Sequence, residues 1–209
     1  MFACSAAVQA QGLFIDSTFN RGFDNIPQDV VEIAKDRFVF LTTIRSTNGL
    51  LAEDHPEIKG KVMLFLADER GNVVRQRIIL NDTTFIRYTA TNIFLNKDRT
   101  LSIVGSFGDS LKRPASFFYA QADTNFNLLS YKTYNVSNIN ADHRHHAFCQ
   151  SGNTLYGAVT YFLNAAKPYP FIATTLVKLS ANGDLLKKQN MEGRFFGGVG
   201  YSYPVVWNI

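Results

Sequence analysis

A hairpin-like stretch that recurs twice is the feature that most constrains the fold of this chain. Its three copies are Val62 to Leu80, Phe117 to Val136 and Ile172 to Met191. Each copy reads as two apolar strands around a polar turn, and Asp68, Asp123 and Ser180 occupy the same place in the three turns, 55 and 57 residues apart. This period is typical of a repeated β unit and not of a helical solenoid.

Two shorter strand-like segments precede each copy and complete the repeated unit. The six segments are Val30 to Ala34, Phe38 to Ile44, Thr91 to Asn96, Thr100 to Phe107, Arg144 to Gln150 and Thr154 to Phe162. The chain contains 18 Phe and 9 Tyr, which alternate with Thr, Val and Ile in short runs bounded by Gly, Asn and Asp. This composition favours strands over helices. We therefore expect an all-β fold of four-stranded antiparallel meanders.

The turn residues support the same assignment. Gly71 is expected to adopt the positive φ that closes a short hairpin loop, and the dipeptide at 182–183, Asn-Gly, is typical of a primed turn. The middle copy has Phe126 where the other two have glycine. Since asparagine tolerates the left-handed conformation better than other non-glycine residues, we expect Asn125 to take it and the turn to shift by one residue.

Four-stranded meanders at this spacing resemble β-propeller blades, in which the first strand lines a central channel and the fourth lies at the rim. The turns that carry the resemblance are Asp36-Arg37, Asp98-Arg99, Asp68-Glu69-Arg70-Gly71 and Ala181-Asn182-Gly183-Asp184. In these features the chain is similar to secreted bacterial β-propeller repeat proteins, although no specific family is identified. The resemblance implies a β-propeller-like array of about three blades of a longer propeller, plus the start of a fourth.

The chain divides accordingly into three parts. Residues 1–10 are interpreted as the remnant of a signal peptide, 11–25 as a segment leading into the repeat, and 26–209 as a partial β-propeller. The predicted blades cover about 26–81, 82–136 and 137–193, and the next blade begins within 194–209. Unclosed blades would leave apolar edges, and we therefore expect self-association through them.

The first residues favour export. In MFACSAAVQAQG, Val8 and Ala10 are spaced like a signal-peptidase site before a cut at Gln11. A lipoprotein with an acylated Cys4 and an ordinary disordered start are the alternatives. The segment is too short to span a membrane, so the expected location is secreted, periplasmic or at the cell surface, without a transmembrane segment.

The net charge of +4 and the sequence pI of about 9.1 do not indicate nucleic-acid binding. The basic residues are scattered among acidic and polar ones at turn and strand positions. A protein that follows a phosphate backbone instead concentrates Lys and Arg on one face. We expect no nucleic-acid partner.

One cluster suggests chemistry. The segment 142–146, Asp-His-Arg-His-His, would place His143 and His145 on one face of a regular strand, with Cys149 and the turn carboxylates as candidates for further ligands of a metal ion. A metal site needs three or four convergent ligands, and a polar, channel-facing entry to the blade's first strand explains the two histidines more simply. Because burial of Arg144 or His146 would be costly, we expect the strand to begin near Ala147, the histidines to lie on an exposed loop, and metal affinity to be weak or absent.

No catalytic or cofactor signature is recognisable, and we assign no catalytic residue and no cofactor. The sequence lacks the G-x-S-x-G elbow of α/β-hydrolases, and its glycine-rich segment 197–200 follows no predicted junction of a strand and a helix. We expect a binding or interaction scaffold for an unidentified protein or carbohydrate, contacted at one end of the channel. The alternative is part of a carbohydrate-active or lactone-hydrolysing propeller enzyme, because propellers serve both classes.

Overall fold

The computed structural model describes residues 23–46, 61–81, 86–109, 114–163 and 171–192. These ranges contain strands and tight turns, and no helix that is long and apolar enough to cross a membrane occurs in them. The strands are β1 (Phe23–Ala34), β2 (Arg37–Ser46), β3 (Lys61–Asp68), β4 (Val73–Asn81), β5 (Ile86–Leu95), β6 (Leu101–Asp109), β7 (Pro114–Ala122), β8 (Leu128–Ser151), β9 (Thr154–Leu163), β10 (Phe171–Ser180) and β11 (Leu185–Glu192). The predicted all-β fold is confirmed.

The strands form three four-stranded antiparallel units, which we call blades. The first blade is β1 to β4, paired in chain order. The second consists of β5, β6, β7 and residues 128–140 of β8, and the third of residues 141–151 of β8 with β9, β10 and β11. This arrangement is propeller-like, and the described strands do not close into a ring. The predicted meanders are therefore confirmed.

The second and third blades share one long strand. β8 runs without interruption over 24 residues, and its pairing partner changes from β7 to β9 between Asn140 and Ala141. The prediction that the strand begins near Ala147, after an exposed loop, is wrong. The backbone of the histidine segment pairs with β9, which satisfies its N–H and C=O groups, and a bulge at Arg144 accommodates the extra residue.

Two buried clusters hold the three blades together. The first cluster lies between the first and second blades and contains Leu64, Leu66, Ile103, Phe118 and Phe126 among others. The second lies between the second and third blades and contains Phe117, Tyr119, Val159, Val177 and Leu179 among others. Each blade thus buries a face against its neighbour, as a sheet with one or two apolar faces must.

The middle blade is covered on both faces, and β7 shows how. Phe117, Phe118 and Tyr119 are consecutive and all completely buried. Because successive side chains of a strand point to opposite faces, Phe118 belongs to the first cluster and its two neighbours belong to the second. Burial of each such ring contributes roughly 1.5–3 kcal/mol, so this strand anchors both interfaces.

We call the face of a blade that points toward the next blade along the chain its leading face, and the opposite one its trailing face. One cross-strand pair marks the centre of each leading face. The three equivalent pairs are Leu64 with Arg77, Tyr119 with Lys132, and Leu176 with Gln189. The members of successive pairs are 55 and 57 residues apart, so the repeat seen in the sequence is also a repeat of position in the sheet.

Candidate functional site

The predicted histidine site lies on β8 at the start of the third blade. His143 is opposite Tyr161 of β9, and His145 is opposite Thr160, with the bulge between them at Arg144. The side chains of the two histidines lie outside the described residues. The expected shared face assumed a regular strand, and the bulge interrupts that alternation. Whether these histidines bind a metal or another ligand stays a prediction.

The neighbouring candidates are not brought together. His146 is half-buried and opposite Val159, whereas Cys149 is an exposed free thiol opposite Tyr156. Val159 lies in the buried cluster against the second blade, while Tyr156 is on the leading face of the third. The described ranges contain no group of three His, Cys, Asp or Glu side chains able to hold a metal ion.

The tight turns all lie at one end of the blades. In each antiparallel meander the turn after the first strand and the turn after the third strand fall at the same end, and the other connections fall at the opposite end. Arg99, in the first turn of the second blade, donates to the carbonyl of Ile33 at 3.1 Å, which joins the ends of two adjacent blades. The strand ends that flank residues 47–60, 82–85, 110–113 and 164–170 lie at the opposite end.

The turns after the third strands share one hydrogen-bonding pattern. Asp68 accepts the backbone N–H groups of Arg70 and Asn72 at 3.0 and 2.8 Å, and its second carboxylate oxygen accepts the side-chain amide of Asn72 at 3.0 Å. Asp123 accepts the corresponding groups of Asn125 and Asn127 at 2.8 Å each. These side chains replace solvent for the turn's N–H groups and fix its shape.

The third turn uses the same positions with the residue types exchanged. The Oγ of Ser180 accepts the N–H groups of Asn182 and Asp184 at 3.2 and 3.0 Å, and donates to Asp184 Oδ2 at 3.2 Å. The other two turns have aspartate first and asparagine last, whereas this turn has serine first and aspartate last. Every turn therefore has one carboxylate in this pair, because two at this distance would repel each other.

The left-handed residue is at the same position in all three turns. Gly71, Phe126 and Gly183 have φ of 82°, 67° and 76°, and each donates its N–H to the carbonyl of the first turn residue. The predicted positive φ of Gly71 is confirmed. The expected shift to Asn125 is wrong, because the buried position of Phe126 in the first cluster outweighs the cost of its backbone conformation. The predicted primed turn at 182–183 is also wrong, since only Gly183 has a positive φ.

A basic side chain of each covered leading face binds the next blade's turn. Arg77 donates to Asn127 Oδ1, and the equivalent Lys132 donates to Asp184 Oδ1 at 2.6 Å. Arg75 adds bonds to the carbonyl of Thr124 and the side chain of Asn125, at 3.2 and 2.8 Å. The fourth strand of one blade is thus tied to the third-to-fourth turn of the following blade at both interfaces.

Aromatic hydroxyls reinforce the second interface. Tyr119 donates to the carbonyl of Ala181, and Tyr134 donates to the carbonyl of Gly183. A Cβ built on Gly183 would overlap the ring of Tyr119, which is completely buried. Glycine at position 183 adopts the left-handed conformation without strain, and it is required there for the space that the tyrosine ring occupies.

Behind Tyr119 lies a polar network that also joins the second and third blades. Asn96 donates to Thr100 and Ser102 at 2.9 and 2.8 Å, and Ser102 shares a 3.0 Å hydrogen bond with Tyr119. Gln150 of the third blade donates to Asn96 Oδ1 at 2.8 Å. Since buried polar groups are costly unless they are paired, this network fixes the orientation of the two blades relative to each other.

A carboxylate joins β1 and β5, the first strands of the first two blades. Asp29 of β1 accepts the N–H of Ile93 at 3.0 Å and the side-chain amide of Asn92 at 3.4 Å. Both strands are irregular at this place, with register shifts after Pro27 and after Ala90. The bulge frees backbone groups from the ladder, and the neighbouring blade satisfies them.

The shifted pKa values have structural causes at the same end of the blades. The hydrogen bond from Asn72 lowers the pKa of Asp68, that from Thr100 lowers the pKa of Asp98, and that from Lys132 lowers the pKa of Asp184. For Asp123, burial opposes ionisation, but the bonds from Asn127 and Asn125 outweigh it and the pKa is lowered.

Burial raises the pKa of Tyr119 and of Tyr134, and the bond to Asp184 raises that of Lys132. Each of these groups binds a turn or a neighbouring blade. Their perturbation is thus explained by structural hydrogen bonds, which also perturb pKa values outside active sites.

These contacts between blades were not predicted from the sequence. In the sequence, Arg75 and Arg77 look like scattered surface charges, and Lys132, Tyr119 and Tyr134 had no predicted role. A usable signal was present, because a basic residue follows the last turn residue by the same five positions in Arg77 and Lys132. Repeated spacing of a charged residue relative to a turn indicates a repeated contact.

No protein-family model matches the chain, and no curated protein is significantly similar to it.

Proposed function

We propose that the chain is an exported, propeller-type binding scaffold, which holds a protein or carbohydrate ligand at the end of the blades opposite the tight turns. The observation that carries this proposal is the use of the polar side chains at the tight-turn end. The carboxylates of Asp68, Asp123 and Asp184 bind turns, and Lys132 and Arg77 bind the next blade. The polar side chains at that end therefore stabilise the turns and the interfaces between blades.

The opposite end has the properties expected of a binding surface. The connections that leave from it differ in length from blade to blade, as 47–60 and 110–113 illustrate, whereas the tight turns keep one hydrogen-bonding pattern. Binding residues are often on variable loops that a rigid scaffold positions. The two buried clusters and the polar network supply that rigidity.

Affinity electrophoresis of the full chain through gels containing starch, xylan, pectin or a mixed-linkage β-glucan tests the carbohydrate arm. We expect retardation by at least one polysaccharide without release of reducing sugar. Replacement of 47–60 by a Gly-Ser segment of equal length is expected to abolish the retardation, whereas Lys132→Met, at the tight-turn end, should retain it. Retardation that survives the loop replacement contradicts the proposed location.

The enzyme alternative makes a different prediction. Release of reducing sugar from these polysaccharides, or opening of a simple aromatic lactone, would favour it if the activity is lost in the His143→Ala/His145→Ala double variant. Activity that is also lost on chelation would identify the histidines as metal ligands. A double variant with unchanged activity would show that the histidines are not the catalytic site, and the binding scaffold would remain the favoured function.

Export is tested separately by attaching a basic, apolar leader ahead of Met1. Mass spectrometry of the exported product should show a mature chain that begins at Gln11. A product that begins at an acylated Cys4 would instead identify a lipoprotein, and retention of the whole chain inside the cell would contradict export.

A further inference from the structure

The leading face of the third blade repeats a surface that the other two blades keep covered. At its centre Leu176 is 39% exposed, whereas the equivalent Leu64 and Tyr119 are 0% exposed. Tyr156 and Met191 on the same face are 42% and 51% exposed. The central register position is thus buried twice along the chain and open the third time.

Both covered leading faces receive the same kind of neighbour. Each is packed against the trailing face of a four-stranded blade, and each binds that blade's third-to-fourth turn through the residue paired with its central side chain. Arg77 binds the last turn residue, Asn127, and Lys132 binds the last turn residue, Asp184. Each contact therefore consists of an apolar centre and one polar side chain that binds a turn of the next blade.

The open face offers the same two components. Its apolar centre consists of Tyr156, Leu176 and Met191, and Gln189 stands opposite Leu176, where Arg77 and Lys132 stand in the other blades. Lys187 occupies the position of Arg75, whose guanidinium binds a turn carbonyl. A glutamine amide and a lysine ammonium at these positions are donors for the carbonyl and the carboxylate or amide of a turn.

We infer that the leading face of the third blade is a docking surface for a further four-stranded blade of the same repeat. The incoming blade presents an apolar trailing face to Leu176 and a turn whose last residue is Asp or Asn to Gln189. The cations Lys178 and Lys187 on this face match the carboxylate that each third-to-fourth turn of this chain has at its first or last position.

A second copy of the chain fits this face less well. Two such faces placed together would bring Lys178 and Lys187 against their own counterparts, which is unfavourable. On the trailing face of the first blade only the outer strands are open: Val30 and Ile78 are 48% and 41% exposed, whereas Phe65 and Ala67 at its centre are 6% and 1% exposed. The trailing faces of the other two blades are buried in the two clusters, through Phe118 and Val177.

Cys149 provides a reporter, since its exposed thiol lies opposite Tyr156 on this face. The test uses the full chain with a copy of residues 137–192 appended after Ile209, and with Cys4 and the second copy of Cys149 changed to Ser. We expect the native Cys149 thiol to react with Ellman's reagent at least about tenfold more slowly than in the chain without the appended blade, because docking buries it. Far-ultraviolet circular dichroism should show the added strand content.

Matched variants separate docking from general effects. Leu176→Glu places a charge at the centre of the face and should restore the fast thiol reaction. Val74→Glu, at an apolar position of β4 that is also exposed, should leave the reaction slow. Gln189→Lys recreates the pair formed by Lys132 and Asp184, and it should slow the reaction further.

Three results overturn the inference. The first is an unchanged thiol rate in a chain whose appended blade is folded. The second is an appended blade that gains no strand signal, since a face built to receive a blade should support its folding. The third is a chain without the appended blade that sediments as a dimer through this face, with Cys149 protected until Leu176→Glu is introduced, which would assign the face to a second copy.

Discussion

The two interfaces between blades occupy equivalent positions and are built with different chemistry. At the first, Leu64 of the leading face and Phe126 of the incoming turn are both buried in one apolar cluster. At the second, the equivalent residues are Tyr119 and Gly183, and the tyrosine ring fills the space next to the glycine. The large side chain comes from the turn in one case and from the leading face in the other.

This exchange shows that the repeat conserves the volume of the contact and not the residue at each position. A buried interface tolerates changes that keep total volume far better than changes that leave a cavity or cause overlap. Phe126 keeps its left-handed conformation because its ring is needed between the blades, under the guanidinium of Arg75 at 6.0 Å. Gly183 adopts the same conformation without strain and leaves room for Tyr119.

The charges are exchanged in a similar way. Arg77 meets the neutral amide of Asn127 at the first interface, whereas Lys132 forms an ion pair with Asp184 at the second. The carboxylate of the middle turn stays at its first position, Asp123, where it accepts hydrogen bonds within the turn and where the charge of Arg77 helps to lower its pKa. Of these two interface contacts, only the second is a direct hydrogen bond to a carboxylate, and we expect it to respond more strongly to pH.

The largest expected effect comes from moving the first arrangement into the second interface. Gly183→Phe alone should lower the free energy of unfolding by at least about 3 kcal/mol, since the ring of Tyr119 already fills the space and a left-handed conformation is imposed on a large residue. Combined with Tyr119→Leu, it recreates the pairing of Leu64 and Phe126. Urea unfolding of both single variants and the double variant should show a favourable coupling of about 3 kcal/mol. If the losses of unfolding free energy in the two single variants simply add in the double variant, the two interfaces do not exchange volume in this way.

The next effect concerns the left-handed phenylalanine at the first interface. Phe126→Ala should cost about 3–5 kcal/mol, because it empties a fully buried site. Phe126→Gly should be about 1 kcal/mol less destabilising than Phe126→Ala, since glycine adopts the positive φ freely. At Phe148, a buried strand residue, the order should reverse and alanine should be the milder change. If urea unfolding places the alanine and glycine variants in the same order of stability at both sites, the left-handed conformation of residue 126 has no free-energy cost.

A smaller effect isolates the polar part of the second interface. Tyr119→Phe keeps the ring but leaves Ser102 and the carbonyl of Ala181 without the hydroxyl, which should cost about 1–3 kcal/mol. Tyr161→Phe removes a single longer bond, 3.2 Å to Thr175, and should cost about 1 kcal/mol. Chemical denaturation of the two variants compares them directly. A Tyr119→Phe chain as stable as the original would exclude the network as a source of stability.

The smallest effect concerns the ion pair of Lys132 and Asp184. Because the pKa of Asp184 is lowered below its ordinary value of 3.8 in the folded chain, its contribution is present above that value and is lost as the pH falls through the folded pKa. Since Asp184→Asn removes this titration, it should reduce the fall of the urea midpoint between pH 7 and pH 3.

A control variant exchanges the turn chemistry. The double variant Ser180→Asp/Asp184→Asn gives the third turn the residues of the second, with an amide for Lys132. It should lose part of the salt dependence at neutral pH, because the exposed ion pair is screened by salt and an amide contact is not. A salt dependence equal to that of the original chain would mean that the ion pair does not stabilise the interface.

Part of this architecture was predictable from the sequence because it depends on local patterns. Alternation of apolar residues and the turn residues around Asp68, Asp123 and Ser180 predicted the meanders and their period. The bulge at Arg144 and the continuous strand β8 were not predictable, since pairing with β9 satisfies a backbone that local polarity would place in a loop. His143 and His145 show the limit for the candidate site, because two ligand-type residues do not specify the partners that complete a site.

By itself the sequence determined that the chain is all-β, that the unit repeats, and that a particular turn closes each third and fourth strand, because these properties arise from residues close together in the chain. The tertiary structure alone decided that Phe126 takes the left-handed conformation and that Tyr119 fills the space beside Gly183. It likewise decided that Lys132 binds Asp184. Lys132 and Asp184 are 52 positions apart and Tyr119 and Gly183 are 64 apart, so the free energy of these contacts depends on the space and charge that the neighbouring blade presents.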